Sequence, residues 1–281
     1  MRRLSLCIIA LLITGIAFNA GAQAPRIPEA SSTQTIIQDF GLGKITITYS
    51  RPNVKGRVIF GGINPWGQVW RTGANAATTI NFSEKVIMGG HSVPAGSYSL
   101  FTIPDKDVWT IILNKTVKQW GAYSYKEADD FLRFQVKPVH LDEKRETFTI
   151  QFTNVTTKSC DLHLVWDHTA VVIPLETDDD AQITANIDEL MKGNRKAYYF
   201  NAIQYYYENN KDMNKALAWA LEAEKVDPGA WYKLWEARIR LRMGDKAAAI
   251  AAAQEGIKMA KATNDDEYVR LNQAVIDQAG R

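Results

Sequence analysis

Three arginines and two tryptophans fall in one turn-rich run, Tyr49 to Phe82. Its glycines, prolines and asparagines mark it as loop, and loops normally avoid bare indoles. Such a segment is either pinned onto a core or built to hold something. Arg51 precedes Pro52, which favours an extended backbone at that arginine. Arg57 follows Gly56 at an expected turn, and Arg71 sits beside Trp70 with Gly73 and Asn75 just after it. A guanidinium offers a two-pronged fork for carboxylate or phosphate, and an indole offers a flat face to a sugar or a cation. Convergence of Arg51, Arg57, Trp70, Arg71 and Asn75 would make a pocket for an anionic or sugar-like small ligand. In the competing reading, the arginines tie loops to backbone carbonyls and the tryptophans plug the end of the fold.

Other chemistry-bearing residues are dispersed. His91, His140, His163 and His168 show no HExxH-type spacing, and strand geometry separates His163 from His168, so no metal site is expected. The Ser97 region lacks the G-x-S-x-G spacing of a nucleophile elbow. Asp39-Phe40-Gly41 has none of the accompanying kinase motifs, and Gly41-Leu42-Gly43-Lys44 precedes a strand rather than a helix. Asp39, Glu84, Asp105, Asp107, Asp129, Asp130 and Asp167 are candidates for a glycosidase pair, but nothing selects two of them, and their spacing in space is invisible here. No catalytic residue and no cofactor is expected, and the reading leans away from an enzyme.

Targeting features come first along the chain. Arg2 and Arg3 precede an apolar stretch, Leu4 to Phe18, that is short for a membrane span, and Ala20 and Ala22 form a small-x-small cleavage pattern. Residues 1–22 therefore read as a signal peptide, which predicts a periplasmic or secreted protein with no membrane span after cleavage. Loss of Arg2 and Arg3 leaves 31 basic residues against 31 acidic ones. That balance predicts no strong attraction to nucleic acid. Cleavage also removes Cys7, so Cys160 has no partner for a disulfide and no companions for a metal cluster.

The elements that must position these groups change character midway. Ile45, Ile47 and Tyr49 alternate with Thr46 and Thr48; Phe148, Ile150 and Phe152 alternate with Thr147, Thr149 and Gln151. Such period-two runs, separated by Gly89-Gly90, Pro94-Ala95-Gly96 and Pro104-Asp105, predict about nine antiparallel strands forming a jelly-roll-like β-sandwich over residues 30–177. A closed barrel is the alternative. After Asp178-Asp179-Asp180, residues 181–281 carry helical spacing. Two hairpins overlay at a shift of 33 residues, placing Ala216 on Ala249 and Ala223 on Gly256. This α-hairpin repeat array resembles the tetratricopeptide pattern without its full signature. Helices are expected at Gln182–Met191 and, as a cap, at Asp265–Ala279, with Asn264 as N-cap. The class is α+β and multidomain. The helical block is expected to dock on the sandwich through Trp231 and Trp235, or to contact a protein partner or a second copy.

The runs KGRVIFG (Lys55 to Gly61), VWRTGANAAT (Val69 to Thr78), VPAGSYSLFTIP (Val93 to Pro104), WTIILNK (Trp109 to Lys115), WGAY (Trp120 to Tyr123) and LRFQVKP (Leu132 to Pro138) resemble, in order, the domain of unknown function 2911 family. The resemblance covers about residues 30–177. It implies exported bacterial proteins, often with helical repeats behind the β domain, and no established reaction. The function expected is a non-catalytic ligand-binding or interaction module of the envelope; an envelope glycan hydrolase and a purely structural partner protein are the alternatives.

Overall fold

A computed structural model describes residues 27–192 and 198–281; the expected signal peptide lies outside them. The chain divides into two compact units at Asp178/Asp179. The first unit holds ten strands: β1 (Ser32–Phe40), β2 (Gly43–Arg51), β3 (Thr78–Phe82), β4 (Val86–Met88), β5 (His91–Val93), β6 (Gly96–Ile103), β7 (Trp109–Asn114), β8 (Asp130–Val136), β9 (Val139–Thr153) and β10 (Ser159–Glu176). They form two antiparallel sheets, one ordered β1-β2-β3-β6-β7-β8 and the other β5-β4-β10-β9. Alternation dictates what each strand buries. Ile45, Ile47 and Tyr49 of β2 turn inward, and Leu162, Leu164 and Trp166 of β10 meet them from the other sheet in one core. This is a β-sandwich, with apolar side chains of both inner faces sharing the space between.

A polar stitch crosses the middle of the sandwich. The Tyr49 hydroxyl donates to the Ile150 carbonyl at 3.2 Å and accepts from the Ile150 amide at 2.9 Å. It links β2 of one sheet to β9 of the other, and burial pushes its phenol above its ordinary range. β9 and β10 make the longest ribbon, with register shifts between Val165 and Thr169 where Asp167 adopts a left-handed backbone, φ 54°. These bulges add twist and bend the ribbon.

The second unit holds six described helices: α1 (Asp180–Met191), α2 (Tyr199–Glu208), α3 (Met213–Val226), α4 (Ala230–Arg242), α5 (Lys246–Ala262) and α6 (Asp266–Ala279). Asp212, Asp245 and Asp265 cap α3, α5 and α6, each accepting from backbone amides of the first turn. The cap of α6 is thus Asp265, one residue beyond the expected Asn264. Asn264 instead takes a left-handed turn at φ 56°, which asparagine tolerates better than most residues. Trp235 is buried inside this unit against Phe200 and Tyr207, so it is core rather than docking surface. Trp231 packs on Tyr232 and on Tyr268 of α6.

Gly256 is small for a reason the repeat overlay did not show. A Cβ there would stand 2.5 Å from the Oδ1 of Asn272 on α6, so the glycine admits the following helix. Asn272 is fully buried and its amide donates to the Tyr268 carbonyl at 2.9 Å. Gly256→Ala should therefore cost about 1–3 kcal/mol through overpacking, despite alanine's better helix propensity. Urea unfolding followed by far-ultraviolet helix signal measures this; an unchanged midpoint would show that α6 yields freely.

Candidate functional site

The Arg and Trp loop is governed by one side chain. Trp70 is 7% exposed, and its ring sits in a cluster of Phe60, Trp109, Phe148 and Trp166 with centroids 5.1–6.3 Å away. Its backbone bridges to Thr102 of β6, donating at 2.7 Å and accepting at 2.9 Å. The indole Nε1 donates to the Gly73 carbonyl at 3.0 Å. Trp70 is therefore held mainly by the core, as in the reading in which the tryptophans plug the end of the fold: aromatic burial is worth more than exposure, and the loop carries its own acceptor for the indole.

Burying Trp70 forces the chain to double back. Thr72 takes φ 53°, unusual for a β-branched residue, and is fully buried with its hydroxyl 3.2 Å from that of Thr102. Thr78 returns to close the loop, its amide donating to the Arg71 carbonyl at 3.1 Å and its hydroxyl to the Thr72 carbonyl at 2.5 Å. Gly73 is required, because a Cβ there would lie 2.9 Å from the Ser50 carbonyl oxygen. Strain of this kind persists only where surrounding structure over-determines it. Its result is local: with Trp70 and Thr72 held inward, Arg71 between them stays half-buried at the surface.

Arg71 borders a cleft of about 530 Å³ at this end of the sandwich. Its floor includes Trp70 and Trp166, and its walls include Arg57, Asn64, Val69 and Tyr123. The guanidinium of Arg71 has no hydrogen bond or ion pair with any described residue, and its Nε is buried without a partner. The Asn64 Nδ2 on the same lining is likewise buried and unpartnered. Buried donors left unmade are costly, about 1–3 kcal/mol each, and native proteins carry few of them. Each would gain from an acceptor brought to this wall. No aspartate or glutamate is among the described lining residues.

The other expected ligand residues divide. Arg57 lines the cleft, but its Nε donates to the Val54 carbonyl at 3.0 Å and its Nη2 to the Asn53 carbonyl at 2.5 Å. Lys55 and Gly56 turn left-handed before it, and the Lys55 amide holds the Glu146 carboxyl below its usual range. Arg51 stands outside the lining and bonds the Phe148 carbonyl and the Thr149 hydroxyl of β9, tying the sheets together. Asn75 also stands outside it, at φ 57°. Its amide donates to the Ser31 carbonyl at 3.2 Å, and its carbonyl accepts from Gly121 at 3.0 Å. Both are scaffold because main-chain groups at strand ends need partners, and these side chains supply them.

Asn75 thereby positions a residue that the sequence reading passed over. Tyr123 lies 85% exposed on the segment between β7 and β8 and lines the cleft. A Cβ on Gly121 would stand 2.7 Å from the Tyr123 ring and 3.0 Å from Arg71 Nη1, so ring and guanidinium are neighbours across that glycine. The segment is anchored beneath by Asp130, which accepts from Tyr125 (2.7 Å) and Asn114 (2.8 Å) and pairs with Arg133 (2.7 Å). Burial, then the neighbouring Asp130, pushes the Tyr125 phenol up to about 12. The WGAY motif, two aromatics around a glycine, was the available signal.

The remaining chemistry lies elsewhere. None of the seven candidate acids lines the cleft. His163 bonds the Thr153 hydroxyl, His168 bonds the Leu141 carbonyl, and His140 stacks on His168. Among the described residues no three histidines, cysteines, aspartates or glutamates gather as a metal site. Cys160 is buried, and burial followed by nearby Asp161 pushes its thiol up to about 11. Among those residues no helix is long and apolar enough to cross a membrane.

With this geometry in place, the chain belongs to the family described as protein of unknown function (DUF2911), whose model matches residues 31–175. No curated protein and no solved structure matches the chain. The helical unit falls outside the matched stretch.

Two outcomes follow from the loop and the thiol. Trp70→Ala should cost about 3–5 kcal/mol, as for deletion of a large buried aromatic, whereas Arg71→Ala should change stability by under about 0.5 kcal/mol. Equilibrium urea unfolding decides, and equal losses for both would show that Arg71 is structural. Cys160 should resist iodoacetamide at neutral pH in the folded protein and react on denaturation, because the thiolate is the reactive form; rapid native labelling would contradict its burial.

Proposed function

We propose that the β domain is a non-catalytic binding module whose ligand presents an anionic group to Arg71. The observation that carries this is the guanidinium itself, half-buried beside an open cleft with no partner among the described residues. A buried-side charge of this kind is compensated when an oxyanion docks, and the planar fork favours two parallel bonds. The absence of aspartate and glutamate from the described lining supports binding over carboxylate-driven hydrolysis at this cleft. The occupied hydrogen bonds of Arg51 and Arg57 support a structural role for those two residues only.

The setting of this activity is the cell envelope or the exterior. The basic start, the short apolar stretch and the Ala20-x-Ala22 pattern support export, with the mature protein periplasmic or secreted. The helical hairpins supply a second surface for a protein partner or a second copy.

Calorimetric titration of the mature protein with a panel of organic anions tests the binding role. At least one anion should bind, with Arg71→Ala weakening it by about tenfold or more, corresponding to a charge-assisted bond of about 1.5–3 kcal/mol. Arg57→Ala should weaken it less. Unchanged affinity in Arg71→Ala for every anion that binds would remove the assignment.

A further inference from the structure

The cleft's size and surface narrow the class of anion, granting the reading of Arg71 as its anchor. A volume of about 530 Å³ lies within the range of sites for whole organic molecules, so an inorganic oxyanion would fill only a corner of it. The described polar side chains on the lining besides Arg71 are Arg57, Asn64, Gln68, Ser31 and Tyr123, whose amides and hydroxyls both donate and accept. A sugar hydroxyl accepts or donates by rotating, so it suits a wall of mixed amides and hydroxyls.

The aromatic partner points the same way. Tyr123 is 85% exposed, and its ring adjoins Arg71 Nη1 across Gly121. An almost bare ring held beside an unpaired cation is a flat apolar platform next to an anion anchor. A pyranose carrying a carboxylate has the matching pair of features, an apolar C–H face and a charged edge on one rigid ring. Rigidity limits the ordering cost of engaging both at once.

We infer that the cleft recognises carboxylated sugars. The carboxylate meets the Arg71 fork, the C–H face of the ring covers Tyr123, and the hydroxyls turn toward Gln68 and Ser31. Tyr123 is thus a specificity residue, and Arg71 supplies the affinity that any organic anion shares. The backbone of the WGAY segment places the ring, since Gly121 is held by Asn75 and the Asp130 network fixes the chain beyond it.

The test uses the mature full-length protein and calorimetry. Probes are the disaccharides of galacturonate, glucuronate and mannuronate, N-acetylmuramate, the methyl esters of the uronates, benzoate and acetate. At least one acidic sugar should bind about tenfold more tightly than its methyl ester and than benzoate or acetate. Tyr123→Ala, at an exposed position, should remove about tenfold of that affinity and leave acetate unchanged, with Tyr123→Phe retaining it. If benzoate or acetate binds as well as every acidic sugar, or if Tyr123→Ala leaves sugar binding intact, the sugar class is overturned while the anion site stands. If no organic anion binds, the anion site falls as well.

Discussion

Burial of the Trp70 indole is the constraint on which the end of the sandwich depends. The ring stacks on Trp166 and meets Phe60, Trp109 and Phe148 edge-on, so it joins both sheets and the loop in one aromatic cluster. A segment rich in glycine and asparagine has little else to fix it. Once the indole is inside, the next residues have few choices. Thr72 accepts a strained left-handed backbone, Gly73 passes against Ser50, and Arg71 is left facing out. Energy from apolar burial is converted into the position of a charge, and that conversion explains why a polar site sits on an aromatic plug.

The opposite wall obeys a different logic. The chain between β7 and β8 has little core of its own and is held by polar contacts. Asp130 gathers Tyr125, Asn114 and Arg133, while the segment nearest the cleft borrows backbone bonds from residues 75–77. Such a network stiffens the segment, and burial first, then the bond to Asp130, raises the Tyr125 phenol. Tyr123 at the rim is therefore exposed without being adrift. The two walls differ in what would disturb them: cavity formation for the Trp70 side, unpaired polar groups for the Asp130 side.

Much of the architecture was legible because periodicity is a one-dimensional record of burial. Inward residues of β2, β9 and β10 alternate in the sequence as they do in space, and the small residues at Ala216, Ala223, Ala249 and Gly256 mark tight helix approaches. The candidate site was legible only in part. The arginines and Trp70 were conspicuous by type, yet type does not say which guanidinium finds a carbonyl. Arg51 and Arg57 are occupied by strand-end and turn carbonyls, and Asn75 by Ser31 and Gly121. Tyr123 was overlooked because its significance comes from a neighbour 52 positions away in the chain, Arg71, which no local pattern encodes.

The sequence by itself determined the two halves, strands before Asp178 and helices after it, together with the near-neutral balance once Arg2 and Arg3 are set aside. Those properties are sums or repeats of local residue character, and so can be read in order along the chain. Tertiary structure alone decided that Trp70 is plug rather than platform, that Arg71 lies beside the cleft with no partner among the described residues, and that Tyr123 stands beside it. Those outcomes depend on which distant groups compete for the same hydrogen bonds and the same buried volume, a competition settled only when the two sheets close on each other.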